Sequence, residues 1–303
     1  MQNSVGIDIG GSHITCGMYE HTNKVLIKDS LVNKKINTKG TKSEIIDSWV
    51  SAIEETISTC SLPFKGIGIA MPGPFDYYNG ISLIKGFDKL ESLYNHDIRN
   101  HLAERLHIKS SEIRFINDAS AFSIAEALIG EASKSSKVVA ITLGTGFGSS
   151  FVLNSQPIID GDSVPEGGFL YNQYHKNQFA DDIFSTRGII NEYERRSGKK
   201  VRNVKELCDL VDKDFRAQET FNWLGDELGD FIKPFLEKFD AEVLVIGGNI
   251  SNAFTFFADN LLNKLPNLKI YVSSFGEQAA IIGSALLSDD QYYEKIKGTL
   301  KKM

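Results

Sequence analysis

Cysteine is sparse in this 303-residue chain: Cys16, Cys60 and Cys208 are odd in number and far apart. That excludes a disulfide framework and a CxxC-type metal site, and it fits a reducing compartment. Long apolar runs are missing too. No window approaches the roughly 20 apolar residues that a membrane-spanning helix needs, so no membrane partner is expected. Met1 to Ser4 leads directly into Val5-Gly6-Ile7-Asp8-Ile9, with neither a charged leader nor the apolar stretch of a secretory signal, and a cytoplasmic location is expected. Positive charge is not in excess either: the net charge is -6, and Lys and Arg form no patch. Nucleic acid is therefore not an expected partner, because binding a phosphate backbone needs clustered basic side chains. The Lys-rich end, Lys295 to Lys302, is short and interleaved with apolar residues, as the solvated face of a last helix would be.

What is present is the composition of a soluble globular protein with ample core, 42% hydrophobic and 24% charged, at a length that suits two domains. Strand and helix signals alternate. Val5–Ile9, Ile14–Tyr19 and Lys24–Leu31 read as three antiparallel strands joined by tight turns. Lys42–Thr59 has helical periodicity, Gly66–Met71 is a short apolar strand, Asp97–Leu106 a helix, Ile113–Ile116 a buried strand and Ala119–Gly130 a helix. The theme then restarts. Lys137–Leu143, Ser149–Leu153 and Pro157–Ile159 read as strands, followed by helices over Asp181–Arg196, Val204–Val211 and Phe215–Phe239. Val243–Ile246 and Leu268–Val272 are further strands, and Glu277–Leu287 and Asp290–Leu300 are final helices. A strand, a Gly-rich turn, two strands, then helix and strand thus occur twice. The natural reading is two similar α/β domains facing each other across a cleft, 1–118 and 119–303, with the final helices free to cross back to the first.

Two Gly-rich turns occupy matching places in the two halves. The first is Asp8-Ile9-Gly10-Gly11-Ser12, where glycines permit positive φ and leave backbone N–H groups uncovered to cradle a phosphate. Asp8 at the strand end can hold a hydrated Mg²⁺, which takes a carboxylate, waters and phosphate oxygens. A plain β-hairpin would use Gly and Asp equally well. The second is Gly144-Thr145-Gly146-Phe147-Gly148, three glycines in five residues, opening a strand and not the helix of a Rossmann or Walker loop. Either turn alone is weak evidence; two in matching positions suit one ligand with several phosphates. A third, Gly247-Gly248, ends an apolar strand, and Ser251 can cap the next helix. It would serve as a flat surface for adenine, or simply as a strand-to-helix turn needing close packing. Asn117-Asp118 follows a buried strand and opens a helix. Asp is a favoured helix cap. Beside two phosphate turns it is also placed to take a proton from a substrate hydroxyl, which attack on a γ-phosphoryl requires.

These segments resemble the motifs of the ROK family (repressor, open reading frame, kinase) within the sugar kinase/Hsp70/actin superfamily. Asp8 to Ser12 is similar to its first phosphate motif, with Ser for the more usual Thr. Asn117-Asp118-Ala119 is similar to its sugar-binding and catalytic-base segment, Leu143 to Gly148 to its second phosphate motif, and Leu244 to Ser251 to its adenosine motif. The order and spacing match over nearly the whole chain. The resemblance implies two ribonuclease H-like domains of the actin/hexokinase type around a central cleft. It implies ATP- and Mg²⁺-dependent phosphorylation of a hexose or amino sugar, with Asp118 as general base and Asn117 bonding sugar hydroxyls. Glucose is the first expectation; N-acetylmannosamine, N-acetylglucosamine, fructose and a β-glucoside stay open. Relatives are often dimers, so a homodimer is in view.

The chain departs from the family in one region. Many relatives carry Glu-x-Gly-His, a Cys-rich zinc loop and a later Glu. Here the segment reads Glu166-Gly167-Gly168-Phe169, Phe169 stands where the zinc-binding His would be, and no cysteine lies between Cys60 and Cys208. Structural zinc is not expected, because it needs about four N or S ligands. Apolar contacts of Phe169, Leu170 and Phe179 are expected to order the loop instead, and His175 to be an exposed loop residue. Glu166 and Asp181 are the further sugar-contact candidates, with Asp182 the alternative to Asp181. Two other readings compete. A repressor of this family would carry a helix-turn-helix domain before the first phosphate motif, which here begins at Val5. A catalytically silent sugar-binding protein would be expected to lose Asp118 or a phosphate glycine, and both are kept.

Overall fold

The computed structural model describes residues 3–60 and 62–303. The chain forms two compact units, Met1–Ala125 together with Gln278–Met303, and Glu126–Glu277. In the first unit, β1 (Asn3–Ile9) and β2 (His13–Glu20) form an antiparallel hairpin with Asp8 opposite Thr15 and Ile9 opposite Ile14. The two short strands β3 (Val25–Leu26) and β4 (Val32–Lys35) pair with opposite ends of β2. Helix α1 (Lys42–Cys60) buries Ile45, Trp49 and Ile53, one stripe at helical spacing. Next come β5 (Phe64–Met71), the small hairpin β6 (Phe75–Asp76) and β7 (Ile81–Ser82), α2 (Ile98–Leu106), β8 (Ile113–Asn117) and α3 (Asp118–Leu128). The sheet runs β3-β2-β1-β5-β8, with β1, β5 and β8 parallel.

Lys24–Leu31 reads as one strand, but the chain breaks there into a 3₁₀ turn at Lys28–Ser30. The cause is local. Ser30 Oγ accepts from Met18 N at 2.7 Å and donates to Ile27 O at 2.6 Å. A side chain thus satisfies the β2 amide that a continuous third strand would have taken.

The second unit repeats the order. Strands β9 (Lys137–Leu143) and β10 (Phe147–Leu153) form an antiparallel hairpin, and β11 (Gln156–Ile158) extends it. The hairpin β12 (Tyr174–His175) and β13 (Gln178–Phe179) precedes α4 (Ala180–Phe184), α5 (Thr186–Ser197), α6 (Val204–Cys208) and α7 (Phe215–Phe239). Then follow β14 (Val243–Gly247), α8 (Phe254–Lys264) and β15 (Lys269–Val272), giving a sheet β11-β10-β9-β14-β15 in which β14 is parallel to β9. Its core carries Phe147, Phe184 and Phe231 with ring centroids 5.1–6.0 Å apart.

Three sequence expectations need correction here. The helix expected over Asp181–Arg196 is two, broken at Ser185, because Thr186 turns its N–H and hydroxyl to the Gly144 carbonyl oxygen at 2.8 and 3.0 Å. The helix expected to Val211 ends at Cys208. Ser251 is not a cap: it lies inside a 3₁₀ turn, Asn249–Ala253, and α8 starts at Phe254 with no side-chain cap.

The chain then returns to the first unit through α9 (Gln278–Leu286) and α10 (Asp290–Leu300). Helix α9 lies on β1 and β5 in backbone contact. A Cβ at Gly6 would strike the Ile281 carbonyl oxygen, and one at Gly68 that of Ser284. Ser284 Oγ accepts from Ile7 N at 3.0 Å, and Ser4 Oγ donates to Ala285 O at 3.0 Å.

Candidate functional site

In the first unit the sheet register carries the first glycine turn and Asn117-Asp118 to one edge. Asp8 pairs with Ala70, and the next residue of β5, Met71, pairs with Asn117. Parallel strands therefore deliver Asp8 and Asn117 to the same end of the sheet, where open α/β sheets bind ligands. The turn itself is closed by Gly10 N donating to His13 O at 2.9 Å. None of its glycines has positive φ, contrary to the conformational role expected for them. They are bare instead. A Cβ at Gly10 would meet only His13 O at 3.5 Å, and one at Gly11 only Lys89 Nζ at 3.9 Å. The fold leaves room there for side chains that the sequence does not supply, which suits close approach of a ligand. Ser12 is exposed, its Oγ 2.8 Å from His13 Nδ1. Asp8 is half-buried at the end of β1 beside this opening, as a single carboxylate for a phosphate-borne Mg²⁺ should be.

Asn117 and Asp118 divide the work differently from the sequence reading. The cap of α3 is Asn117: its Oδ1 accepts from Ser120 N at 3.2 Å, and its Nδ2 donates to the Tyr77 hydroxyl at 3.3 Å. Tyr77, buried, donates its hydroxyl hydrogen bond to Met71 O at 3.1 Å. Both ends of the Asn117 amide are thus engaged within the fold. Asp118 is the first helical residue, half-buried, and its Oδ1 accepts from Ala119 N at 2.8 Å. Desolvation raises its pKa, offset in part by the Ala119 N–H, the Lys89 charge and Asn117. A carboxylate held in one rotamer with a raised pKa is a sound proton acceptor. Tyr77 and Lys89 carry no signal in the sequence; only the fold brings them to this edge.

In the second unit the turn Gly144–Gly146 joins β9 to β10, as Gly10–Ser12 joins β1 to β2. Gly144 N donates to Gly146 O at 3.0 Å, and Thr145 stands at the tip. Gly148 lies in β10 opposite Thr142. A Cβ at Gly144 would meet only Gly146 O at 4.0 Å, whereas one at Gly146 would lie 3.1 Å from Asp181 Oδ1. That carboxylate accepts from Phe147 N at 2.8 Å and pairs with Arg187 at 3.3 Å. Asp182 also pairs with Arg187, at 2.6 Å, but lines a separate concavity of about 430 Å³ with His175, Trp223 and Glu227. The two adjacent carboxyls therefore serve different places. Gly247 pairs with Thr142, which puts Gly247-Gly248 at the same sheet end as Gly144. At Gly248 glycine is demanded by the fold: φ is +78°, and a Cβ would run into the Leu143 carbonyl.

The exposed Glu166 sits on a 3₁₀ turn, and among the described residues its carboxylate has no partner. Ser149, on β10, pins this loop: its Oγ donates to Gly168 O at 3.0 Å and accepts from Leu170 N at 2.8 Å. Leu170 is fully buried, and Phe169 is half-buried against Tyr171. Phe179, expected to help order the loop, is 41% exposed, its ring tilted against that of Tyr174 with centroids 4.5 Å apart. His175 is likewise not the exposed loop residue expected. Its side chain is 12% exposed, Nε2 is 2.6 Å from Glu227 Oε2, and its ring meets Phe231 at 5.7 Å. Burial beside Phe184 and Phe231 favours a paired imidazole over a free one.

The ROK family profile matches residues 4–291. The chain belongs to the ROK family. Two curated relatives extend over nearly its whole length. The N-acetyl-D-glucosamine kinase of Histophilus somni is 25% identical, covering 93% of this chain and 97% of its own. The glucokinase of Thermotoga maritima is 24% identical, covering 93% and 95%. Among solved structures, the ROK family glucokinase of Streptomyces griseus, in complex with glucose and AMPPNP, superimposes with a TM-score of 0.77 at 17% identity, covering 94% of this chain and 98% of that one. That likeness establishes the fold of this ROK protein as the actin/hexokinase type.

Proposed function

We propose that this ROK protein transfers the terminal phosphoryl group of ATP to a hydroxyl of a hexose or N-acetylhexosamine. The observation that carries the reading is Asp118: a carboxylate fixed by the Ala119 amide, raised in pKa by desolvation, at the same sheet edge as the open Gly10-Gly11 turn. The relatives named as N-acetyl-D-glucosamine kinase and glucokinase support it. In the step, the acceptor hydroxyl gives its proton to Asp118 as its oxygen attacks the terminal phosphorus in line, and the bond to the nucleoside diphosphate breaks. Asp8 would hold Mg²⁺, which when bound neutralises charge on the phosphates. Asn117, tied to Tyr77 and Ser120, positions Asp118 and the first turn of α3. Glu166, whose carboxylate has no partner among the described residues, is the sugar-hydroxyl acceptor on its own unit, and Asp181 supports the glycine turn. Gly144, Thr145, Gly146, Gly148, Gly247 and Gly248 are the nucleotide-facing residues of the second unit. The test is ATP consumption over a sugar panel headed by N-acetylglucosamine and glucose, then N-acetylmannosamine, fructose and a β-glucoside. Failure with every sugar at millimolar concentration, with Mg²⁺ present, would overturn it.

A further inference from the structure

Among the lysines of the segment Lys39–Lys89, Lys89 is the one set against the first glycine turn. Lys39 pairs with Asp88, and Lys85 lies over the Tyr94 ring at 5.0 Å. Lys89 has no hydrogen-bond or ion-pair partner among the described residues, yet its Nζ lies 3.9 Å from where a Gly11 Cβ would be. Its charge also reaches Asp118, acting to lower that carboxyl's pKa. A half-buried ammonium beside the open turn, with the Asp118 carboxyl within reach of its charge, has no ion-pair partner among the described residues.

The backbone on either side of Lys89 is fixed. Asp88 N donates to Glu91 Oε1 at 2.9 Å, and Leu90 N donates to Thr38 O at 2.6 Å. Leu90 is fully buried and left-handed, with φ +57° and ψ +17°. A buried non-glycine residue there is held by its surroundings, a pattern that clusters at ligand clamps. Thr38 also donates from Oγ1 to Gly11 O at 3.4 Å, so the segment that anchors Leu90 touches the glycine turn as well. The loop holds the root of Lys89 still and leaves its head free.

We propose that Lys89 is a catalytic residue that contacts the phosphoryl group in flight between the donor at Gly10-Gly11 and the acceptor hydroxyl at Asp118; this rests on the kinase reading above. The ammonium stays protonated throughout. The hydroxyl proton goes to Asp118, the new O–P bond forms, the old P–O bond breaks, and its electron pair leaves with the nucleoside diphosphate. Lys89 offsets the charge on the equatorial oxygens, which in a preorganised site is worth about 10²–10³ in rate.

The test compares Lys89→Met and Lys89→Arg with wild type, after circular dichroism has verified folding. Lys89→Met is expected to lose about 100-fold in kcat, with sugar KM and ADP affinity within about threefold, since only the transferred group is touched. Inorganic tripolyphosphate, titrated alone by calorimetry, should bind Lys89→Met about tenfold more weakly than wild type, and Lys89→Arg, which keeps the charge, should recover most of that. A kcat for Lys89→Met within threefold of an active wild type would overturn the proposal alone. Should the wild type phosphorylate no sugar, the kinase reading fails, and equal tripolyphosphate affinity in wild type and Lys89→Met overturns the assignment of Lys89 independently.

Discussion

Asp181 Oδ1 accepts the backbone N–H of Phe147 at 2.8 Å, so the second glycine turn carries its own carboxylate. The partner that holds this carboxylate in turn is Arg187, at 3.3 Å. Asp181→Ala is therefore expected to raise the KM for ATP about three- to tenfold, in keeping with a partly exposed hydrogen bond to a charged group, while the sugar KM stays within twofold. Steady-state kinetics with each substrate varied in turn decides it. A rise in the sugar KM alone would make Asp181 a sugar contact after all.

Asp118→Asn should cut turnover by about 10²–10⁴ and leave binding of a non-hydrolysable ATP analogue nearly intact, because the amide keeps the shape but cannot take the proton. Stability should move the other way. Desolvation raises the Asp118 pKa in the folded state, so the wild type loses stability as pH climbs from the ordinary aspartate value of about 3.9 through the raised one. The Asp118→Asn variant escapes that loss. Its melting temperature at pH 7 is expected to match or exceed wild type, and the gap should close in acid. Wild-type turnover should rise across the same window, as the base ionises. Turnover of the variant within tenfold of wild type would rule out the role.

Gly11→Ala and Gly248→Ala form a contrasting pair. Alanine at position 11 meets no neighbour nearer than 3.9 Å and has no positive φ to adopt, so thermal stability should hold while ATP affinity drops. At position 248 the added carbon meets the Leu143 carbonyl at φ +78°, and destabilisation of about 1–3 kcal/mol or more is expected. Thermal melts and calorimetry on both variants separate the cases. Equal loss of stability in the two would remove the argument that position 11 is kept bare for a ligand.

Zinc should be dispensable. His175 is committed to Glu227 at 2.6 Å, and the Glu166 loop is ordered by Ser149 and Leu170. Elemental analysis is expected to find no stoichiometric zinc, and a zinc-selective chelator to leave turnover unchanged, whereas EDTA in excess of Mg²⁺ abolishes it. One zinc per chain, required for turnover, would show that the ligands were misplaced.

The repeated hairpins, the parallel strands after them and the positions of both glycine turns were legible because hydrophobic period and glycine punctuation are local signals. What escaped is what distant residues decide. The strand after Glu20 was read as continuous because nothing in the sequence says that Ser30 will bond Met18. Helices α4 and α5 looked like one because the break depends on Thr186 reaching Gly144. The helix expected after Ser251 is present, but it starts later, at Phe254, because Asn249–Ala253 winds into a 3₁₀ turn first. Asp118 was read correctly as following a buried strand, but its helix is capped by Asn117, and the Tyr77 hydroxyl that holds Asn117 lies 40 residues upstream.

The seating of α9 on β1 and β5 has a consequence for synthesis. A ribosome releases β1 long before Gln278–Leu286 exists. Until then the bare backbone at Gly6 and Gly68 has no helix to receive, and Ile7 N lacks the hydroxyl of Ser284. The second unit, unbroken from Glu126 to Glu277, can fold as it emerges. The unit begun first is therefore finished last, and a nascent chain stalled before Gln278 carries an open sheet face.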